Sequence, residues 1–345
     1  MKVRRKLDRL GSARTFLRRA NHWLRNLPTL ATPSSRLTRK LTFNAWLRLS
    51  AERGMNKSSL ANPRGDIDHS RPQFHLPTAE SQRDSGGQRW QSSAMNSAVR
   101  PLAIVSGGSR GLGFETARGL AARGFDLALI AKDADRLIGA RQSLLNEFSQ
   151  SHPQLSISTH AADLEDQGQA RKIAEEINGS LPVAQVLVLA HGVMSEKMSK
   201  TLRTTDAEWN RVMAINLNSV FTLVNTIAPA MAEARNGRVI IYSACLGRMS
   251  GPGNAGGLAP YRISKAGVNA LVRNLAHETG MGARGFYVDA MCPNHSRTDM
   301  GGADAPRSAE EGAETAVWLA TADIAERGLE NVTGLLWEDR KVVPF

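Results

Sequence analysis

"VSGGSRGLGFET", residues 105–116, decides how the chain is read. Its glycines Gly107, Gly111 and Gly113 follow an apolar run, "LAIVS" (102–106), and open a helical pattern, "FETARGLAARG" (114–124). Glycine has no Cβ, so a backbone made of it can approach phosphate oxygens closely. The start of a helix adds free amide donors and a partial positive charge. The spacing is G-x-x-x-G-x-G, which is neither the usual G-x-G-x-x-G fingerprint nor a P-loop. Taken alone, it suits a plain tight turn equally well.

Outward from this stretch, apolar runs alternate with helical patterns. The runs are "DLALIA" (126–131), "SISTHAA" (156–162), "VAQVLVLA" (183–190), "GRVIIYS" (237–243), "GFYVDAMC" (285–292) and "TGLLW" (333–337). Near-continuous Val, Ile and Leu strands separated by helices predict a parallel sheet covered on both faces. The expected fold is α/β, Rossmann-type and doubly wound, with a mainly seven-stranded parallel sheet. Its ligand is expected at the carboxyl ends of the strands.

The charge is unevenly distributed. The chain of 345 residues carries a formal net charge of +12. Residues 1–94 hold 19 Lys and Arg against 6 Asp and Glu, whereas the rest hold 25 against 26. The basic character therefore belongs to the first segment and predicts no nucleic-acid face on the domain that follows. Four readings of 1–94 stand: an Arg-rich targeting presequence, a membrane-surface or nucleic-acid arm, a disordered extension, or a stretch that is not translated because Met95 is the start. Residues 60–94 read as linker. Residues 95–345 read as one domain. No apolar run approaches the roughly 20 residues that span a bilayer. No membrane partner is expected, and the location is cytoplasmic, or an organelle if 1–94 is a presequence. The two cysteines, Cys245 and Cys292, are far apart in sequence and show no zinc or disulfide framework.

The remaining motifs fall in one order: "SGGSRGLG", Asp163-Leu164, "INLNSVF" (215–221), "YRISK" (261–265) and "CPNHSRTDMGG" (292–302). With these in hand, residues 102–345 resemble the short-chain dehydrogenase/reductase family. The tail is most similar to its carbonyl-reductase-like members.

The resemblance implies a nicotinamide dinucleotide held by Gly107, Ser109, Arg110, Gly111, Leu112 and Gly113. Asp163 and Leu164 would meet the adenine. Ala190, Gly192, Pro293 and Thr298 would line the nicotinamide half, together with Tyr261 and Lys265. Where an acid would select NAD, the second strand ends in Ala131-Lys132. Lys132 and Arg110 can flank a 2′-phosphate, so NADP(H) is favoured over NAD(H). Asp133 is expected to cap the next helix.

Tyr261 and Lys265 are one helical turn apart and share a face. A phenol ionises near pH 10, too high for proton transfer at neutrality unless a neighbouring cation stabilises the phenolate. Lys265 is expected to be that cation, with Tyr261 as acid and base. Asn216 matches the family asparagine that kinks its helix, and Asn218 is its local competitor. The fourth catalytic position, a serine that bonds the substrate carbonyl, falls on Ala244. Ser243 is the candidate substitute, although a one-residue slip turns a strand side chain to the other face. His191 and His295 are expected to line the site rather than act as bases. The expected activity is interconversion of a small-molecule carbonyl and its alcohol, by a homodimer or homotetramer. The alternative is a catalytically impaired NADP-binding sensor or scaffold of the same fold.

Overall fold

The computed structural model describes residues 100–196, 199–251, 256–328 and 332–345. The readings made for residues 1–94 lie outside them. The strands are β1 (Leu102–Ser106), β2 (Asp126–Ala131), β3 (Ile157–Ala161), β4 (Val186–Leu189), β5 (Gly237–Tyr242), β6 (Phe286–Cys292), β7 (Leu336–Glu338) and β8 (Lys341–Val343). They form one sheet in the order β3-β2-β1-β4-β5-β6-β7-β8. The first seven run parallel, and β8 pairs antiparallel with β7. The doubly wound reading holds, with β8 as an addition.

The main helices are α1 (Gly111–Ala121), α2 (Ala134–Glu147), α3 (Gln167–Ser180), α4 (Asp206–Met213), α5 (Ser219–Glu233), α6 (Ala259–Glu278) and α7 (Ala309–Thr321). Strand residues alternate between two cores, as the pleat requires. Leu102 and Ile104 join Leu187, Val224 and Val268 on the side of α3, α5 and α6. Ala103 and Val105 join Leu120, Leu129, Leu144 and Trp337 on the side of α1, α2 and α7. A fully buried Leu or Ile contributes about 1.5–3 kcal/mol.

β1 pairs with β2 on one side and β4 on the other, so the chain order reverses there. A crevice opens at the carboxyl ends of strands at such a reversal. The helical path Asp206–Glu233 is 28 residues long, with mean hydropathy 1.3 in its most apolar window. Length and composition alone would let it cross a membrane. Its Val220, Leu223, Val224 and Ile227 are instead buried in the core beside the sheet, as in a core helix of a folded domain.

Candidate active site

The loop between β1 and α1 is the glycine stretch. Gly107 has φ +73°, a left-handed value that favours glycine. Its N–H donates to the Ile130 carbonyl at 2.7 Å, which pins the loop to β2. A Cβ on Gly113 would lie 2.2 Å from the Gly107 carbonyl oxygen, so α1 leaves directly from the loop. No side chain caps α1, and its first turn has no acid. Its first amides are open to an anion.

A cavity of about 600 Å³ extends from these amides along the strand ends. Its walls include Gly107, Ser109, Arg110, Gly111, Leu112, Gly113, Lys132, Asp163, Leu164, Ala190, Gly192 and Thr298. Twelve expected contact residues are thus brought together. Tyr261, Lys265 and Pro293 lie outside these walls. The bare backbone, uncapped helix and elongated cavity fit a dinucleotide.

Lys132 lines the cavity beside Asp163. Its ammonium pairs with Asp163 at 2.6 Å, which raises the Lys132 pKa and lowers that of Asp163. Asp163 also accepts from the Glu165 N–H at 3.1 Å, but it does not cap α3; Asp166 does. Asp133 caps α2 as expected, accepting from the Arg136 N–H at 3.0 Å. The sequence reading passed over Arg136. It lines the same cavity, and its guanidinium lies 3.2 Å from Asp133. The signal was available as a second cation four residues after Lys132. Arg110 pairs with Asp299 across the mouth of the cavity.

Behind the wall at Gly192 and Val193 lies Asn216. Residues Ala214–Asn218 form a π-turn between α4 and α5, and Asn216 is fully buried within it. Such wide turns occur often at functional sites. The Asn216 amide donates to the Val193 carbonyl at 2.9 Å and to Ser264 Oγ at 3.1 Å, while its oxygen accepts from the Val193 N–H at 2.8 Å. It thus ties the segment after β4 to α6. Asn218, the competitor, is exposed.

Tyr261 and Lys265 are both buried on α6, with the ammonium 6.0 Å from the phenol ring centroid. The Lys265 ammonium donates to the Tyr242 carbonyl at 2.6 Å. Burial lowers its pKa to about 8. Burial also raises the Tyr261 pKa, so in the protein alone the phenol is not brought toward neutrality as expected. A Cβ on Gly192, in the cavity wall, would lie 3.3 Å from Asn216 Oδ1 and 3.6 Å from Lys265 Nζ. At Gly192 no side chain stands between the cavity and the Asn216 and Lys265 side chains.

Ser243, the candidate substitute for the missing serine, lies just after the end of β5. Its hydroxyl is buried and donates to Asn269 Oδ1 at 2.6 Å and to the Lys265 carbonyl at 3.4 Å. Both partners are on α6, so Ser243 fastens β5 to that helix instead of presenting a donor to substrate. Ala244 follows it in extended backbone at φ −157°.

His191 lines the cavity, held between Ser106 Oγ at 2.5 Å and Ser219 Oγ at 2.8 Å. Burial, reinforced by Lys265, lowers its pKa to about 3, so the ring is neutral and no proton carrier. His295 is exposed and bonded to the Gly301 carbonyl at 2.8 Å, outside the cavity walls. Pro293 keeps its turn because Asn294 takes φ +59° in place of glycine. The Pro293 carbonyl accepts from Ser296 Oγ at 3.0 Å.

A sequence profile of the short chain dehydrogenase family matches residues 101–309, more than half of the chain. The chain is 32% identical over 199 residues to 3-oxoacyl-(acyl-carrier-protein) reductase FabG of Escherichia coli, spanning 58% of this chain and 75% of that one. Its counterpart in Staphylococcus epidermidis is 28% identical, over 57% and 76%. Among solved structures, a blue fluorescent protein from a metagenomic library in complex with NADPH matches with TM-score 0.58 and 26% identity, covering 69% of this chain and 96% of that one. A metagenomic short-chain oxidoreductase in complex with NADP matches with TM-score 0.53 and 26% identity, covering 65% and 92%. With the glycine loop, the buried asparagine and the Tyr261–Lys265 pair already placed on a doubly wound sheet, the chain belongs to the short-chain dehydrogenase/reductase family, oxidoreductases of alcohol and carbonyl groups.

Proposed function

We propose that the protein is an NADP(H)-dependent reductase of a small carbonyl compound, with Tyr261 as the acid. The observation that carries this reading is the position of Tyr261 and Lys265, buried one turn apart on α6, with Lys265 directly behind the Gly192 wall of a dinucleotide-sized cavity. Lys132, Arg136 and Arg110 gather around the end where a 2′-phosphate would lie, which favours NADP(H) over NAD(H). The NADPH and NADP carried by the two structural neighbours support the same choice. The relatives' names, reductases of a 3-oxoacyl group, support a carbonyl substrate. The carbonyl-reductase-like tail belongs to this proposal as well.

When bound, the dinucleotide would supply the hydride. The amides at the start of α1 and the Gly107 loop would hold its phosphates, and Asp163 and Leu164 would border its adenine. Gly192 and Thr298 leave room for the nicotinamide half. Tyr261 holds a proton on its phenol oxygen and gives it to the substrate oxygen as the alcohol forms. The Lys265 ammonium, with any positive charge in the site, stabilises the phenolate left behind. Asn216 fixes the segment after β4 against α6, so Lys265 and Gly192 stay in register.

Titration of the full chain with NADPH and NADH, then NADPH oxidation with a panel of aldehydes, ketones and quinones, tests the reading. Tyr261→Phe should abolish turnover and leave NADPH affinity within about twofold, since truncating one hydroxyl leaves the phosphate contacts intact. Turnover retained by Tyr261→Phe would refute the assignment. A second reading, a cofactor-binding sensor, is favoured by Ala244 at the donor position and by the engagement of Ser243 with Asn269. Tight NADPH binding without turnover on any carbonyl would select it. We also propose self-association through α5 and α6, where Phe221 and Ile263 are 50% and 42% exposed. A monomer by sedimentation would exclude it.

A further inference from the structure

The only two cysteines of the chain, 47 positions apart, meet at the carboxyl ends of neighbouring strands. Cys292 ends β6. Cys245 opens the short turn Cys245–Gly247 that follows β5, and β5 and β6 are paired through Tyr242 and Met291. The Cys245 N–H donates to Cys292 Sγ at 3.1 Å, and the Asn294 N–H donates to the same sulfur at 3.4 Å. Two amides therefore hold that sulfur against the backbone of its partner. Both cysteines are free. Cys292 is 2% exposed, whereas Cys245 is partly exposed. Cys245 is thus the more accessible of the two residues and Cys292 the enclosed one.

We propose that Cys245 and Cys292 form a redox-active dithiol beside the active site, which hydroperoxides or small-molecule disulfides oxidise to an intramolecular disulfide. The charge distribution agrees with the geometry. The Cys292 side chain beside it lowers the Cys245 pKa, with a smaller effect in the same direction from Arg248, while the Cys292 pKa rises. Cys245 is then the attacking thiolate and Cys292 the resolving thiol. With a hydroperoxide ROOH, the Cys245 thiolate attacks the outer oxygen and the O–O bond breaks. Cys245 becomes a sulfenic acid, and the leaving alkoxide takes a proton to give ROH. The Cys292 thiol then attacks the sulfenic sulfur, the S–S bond forms and water leaves. Two thiols are oxidised and one peroxide is reduced. With a disulfide RSSR, the thiolate displaces one RS⁻, and Cys292 displaces the second. The dithiol borders α6 at Lys265, since Gly247, in the turn that Cys245 opens, packs so closely on that helix that a Cβ there would lie 2.7 Å from the Lys265 backbone. Its chemistry is independent of which carbonyl, if any, the protein reduces.

The test uses the reduced full-length protein, exposed at neutral pH to a modest excess of hydrogen peroxide or oxidised glutathione. It is then denatured, alkylated and weighed by intact mass spectrometry. Both alkylatable thiols should disappear together, with a mass loss of two hydrogen atoms and a cross-linked peptide that dithiothreitol releases. Cys292→Ser should instead accumulate a lasting sulfenic acid or glutathione adduct on Cys245. Cys245→Ser should leave Cys292 unreactive. The proposal fails if wild-type protein keeps one thiol alkylatable while the other carries an adduct. It also fails if both thiols survive oxidant that consumes free cysteine, or if the disulfide links two chains. The wild-type measurement decides even if a variant does not fold.

Discussion

Ser243 and Ala244 are neighbours, and the difference between them sets which hydroxyl can meet a substrate. The Ser243 hydroxyl is committed to Asn269. Ser243→Ala should therefore cost stability, about 1–3 kcal/mol because Asn269 loses a buried partner, with little change in turnover. Ala244→Ser adds the missing donor and should raise carbonyl reduction at least tenfold, since one such donor is worth about 10²–10³ in rate. Unfolding and steady-state kinetics on both variants separate the two effects. A rate collapse in Ser243→Ala with unchanged stability would return the donor role to Ser243. Lys265 gives a pH prediction. Its pKa of about 8 in the protein alone means the ammonium is present below that pH and lost above it. The phenolate left by Tyr261 loses its cation in the same range. The reduction kcat/KM should be flat up to about pH 8 and then fall. Lys265→Arg, which stays charged, should carry the plateau further. A wild-type plateau to the ionisation of free lysine would show that the bound state sets a different pKa. Tyr261, Lys265 and Asn216 were legible because helical spacing and an ordered set of motifs locate them. The partner of Ser243 and the meeting of Cys245 with Cys292 were not, because strand neighbours far apart in sequence leave no local pattern.

At the scale of elements, α1 shows how a helix start becomes a binding site. Its first turn lacks both a side-chain cap and an acid, and Gly113 lies against the Gly107 carbonyl. Gly113→Ala would place a methyl 2.2 Å from that oxygen, so the loop and helix must separate. NADPH affinity should fall at least tenfold, or about 1.4 kcal/mol. Gly139→Ala in α2 is the matched control. Its Cβ would meet nothing within 4 Å, so affinity should hold and stability should rise by about 0.4–1 kcal/mol. Titration and thermal melting of both proteins check the contrast; equal losses would mean that helix stability, and not the close approach, governs binding. The glycine spacing announced this element, and the capping signal at Asp133 was equally readable. β8 was not. Its hairpin turns at Asp339 and Arg340 with φ +51° and +58°, values usually supplied by Gly or Asn. Arg307 holds Asp339 from outside the hairpin, a tertiary contact that replaces the missing turn signal.

At the scale of the molecule, alternating apolar runs were enough to give the seven parallel strands, but not the polar tie across the far half of the sheet. Asp289 on β6 and Arg327, after α7, pair at 2.7 Å with their side chains 2% and 1% exposed. Arg327 also donates to the Leu319 carbonyl at 3.3 Å and stacks 5.5 Å from the Trp337 ring centroid. It thus joins β6, the end of α7 and β7. No sequence pattern marks the pair, because its members are 38 residues apart and each reads locally as a surface charge. Asp289 further accepts from the Leu335 N–H at 3.2 Å, which positions the chain entering β7. Arg327→Leu would leave a carboxylate buried with no cation. Breaking such a pair costs about 3–5 kcal/mol, or about 6–20 °C in Tm for a domain of this size. Replacing both residues by leucine removes the stranded charge, and burying an apolar pair in its place is often neutral. The double variant should therefore recover most of the loss, apart from the Leu335 amide left without its acceptor. Thermal unfolding of wild type, Arg327→Leu, Asp289→Leu and the double variant forms a complete cycle. Strong coupling would establish the pair as a fold-specific clamp between strands. Additive losses would mean that each residue acts through its backbone contacts, and that packing around Trp337 holds the far half of the sheet.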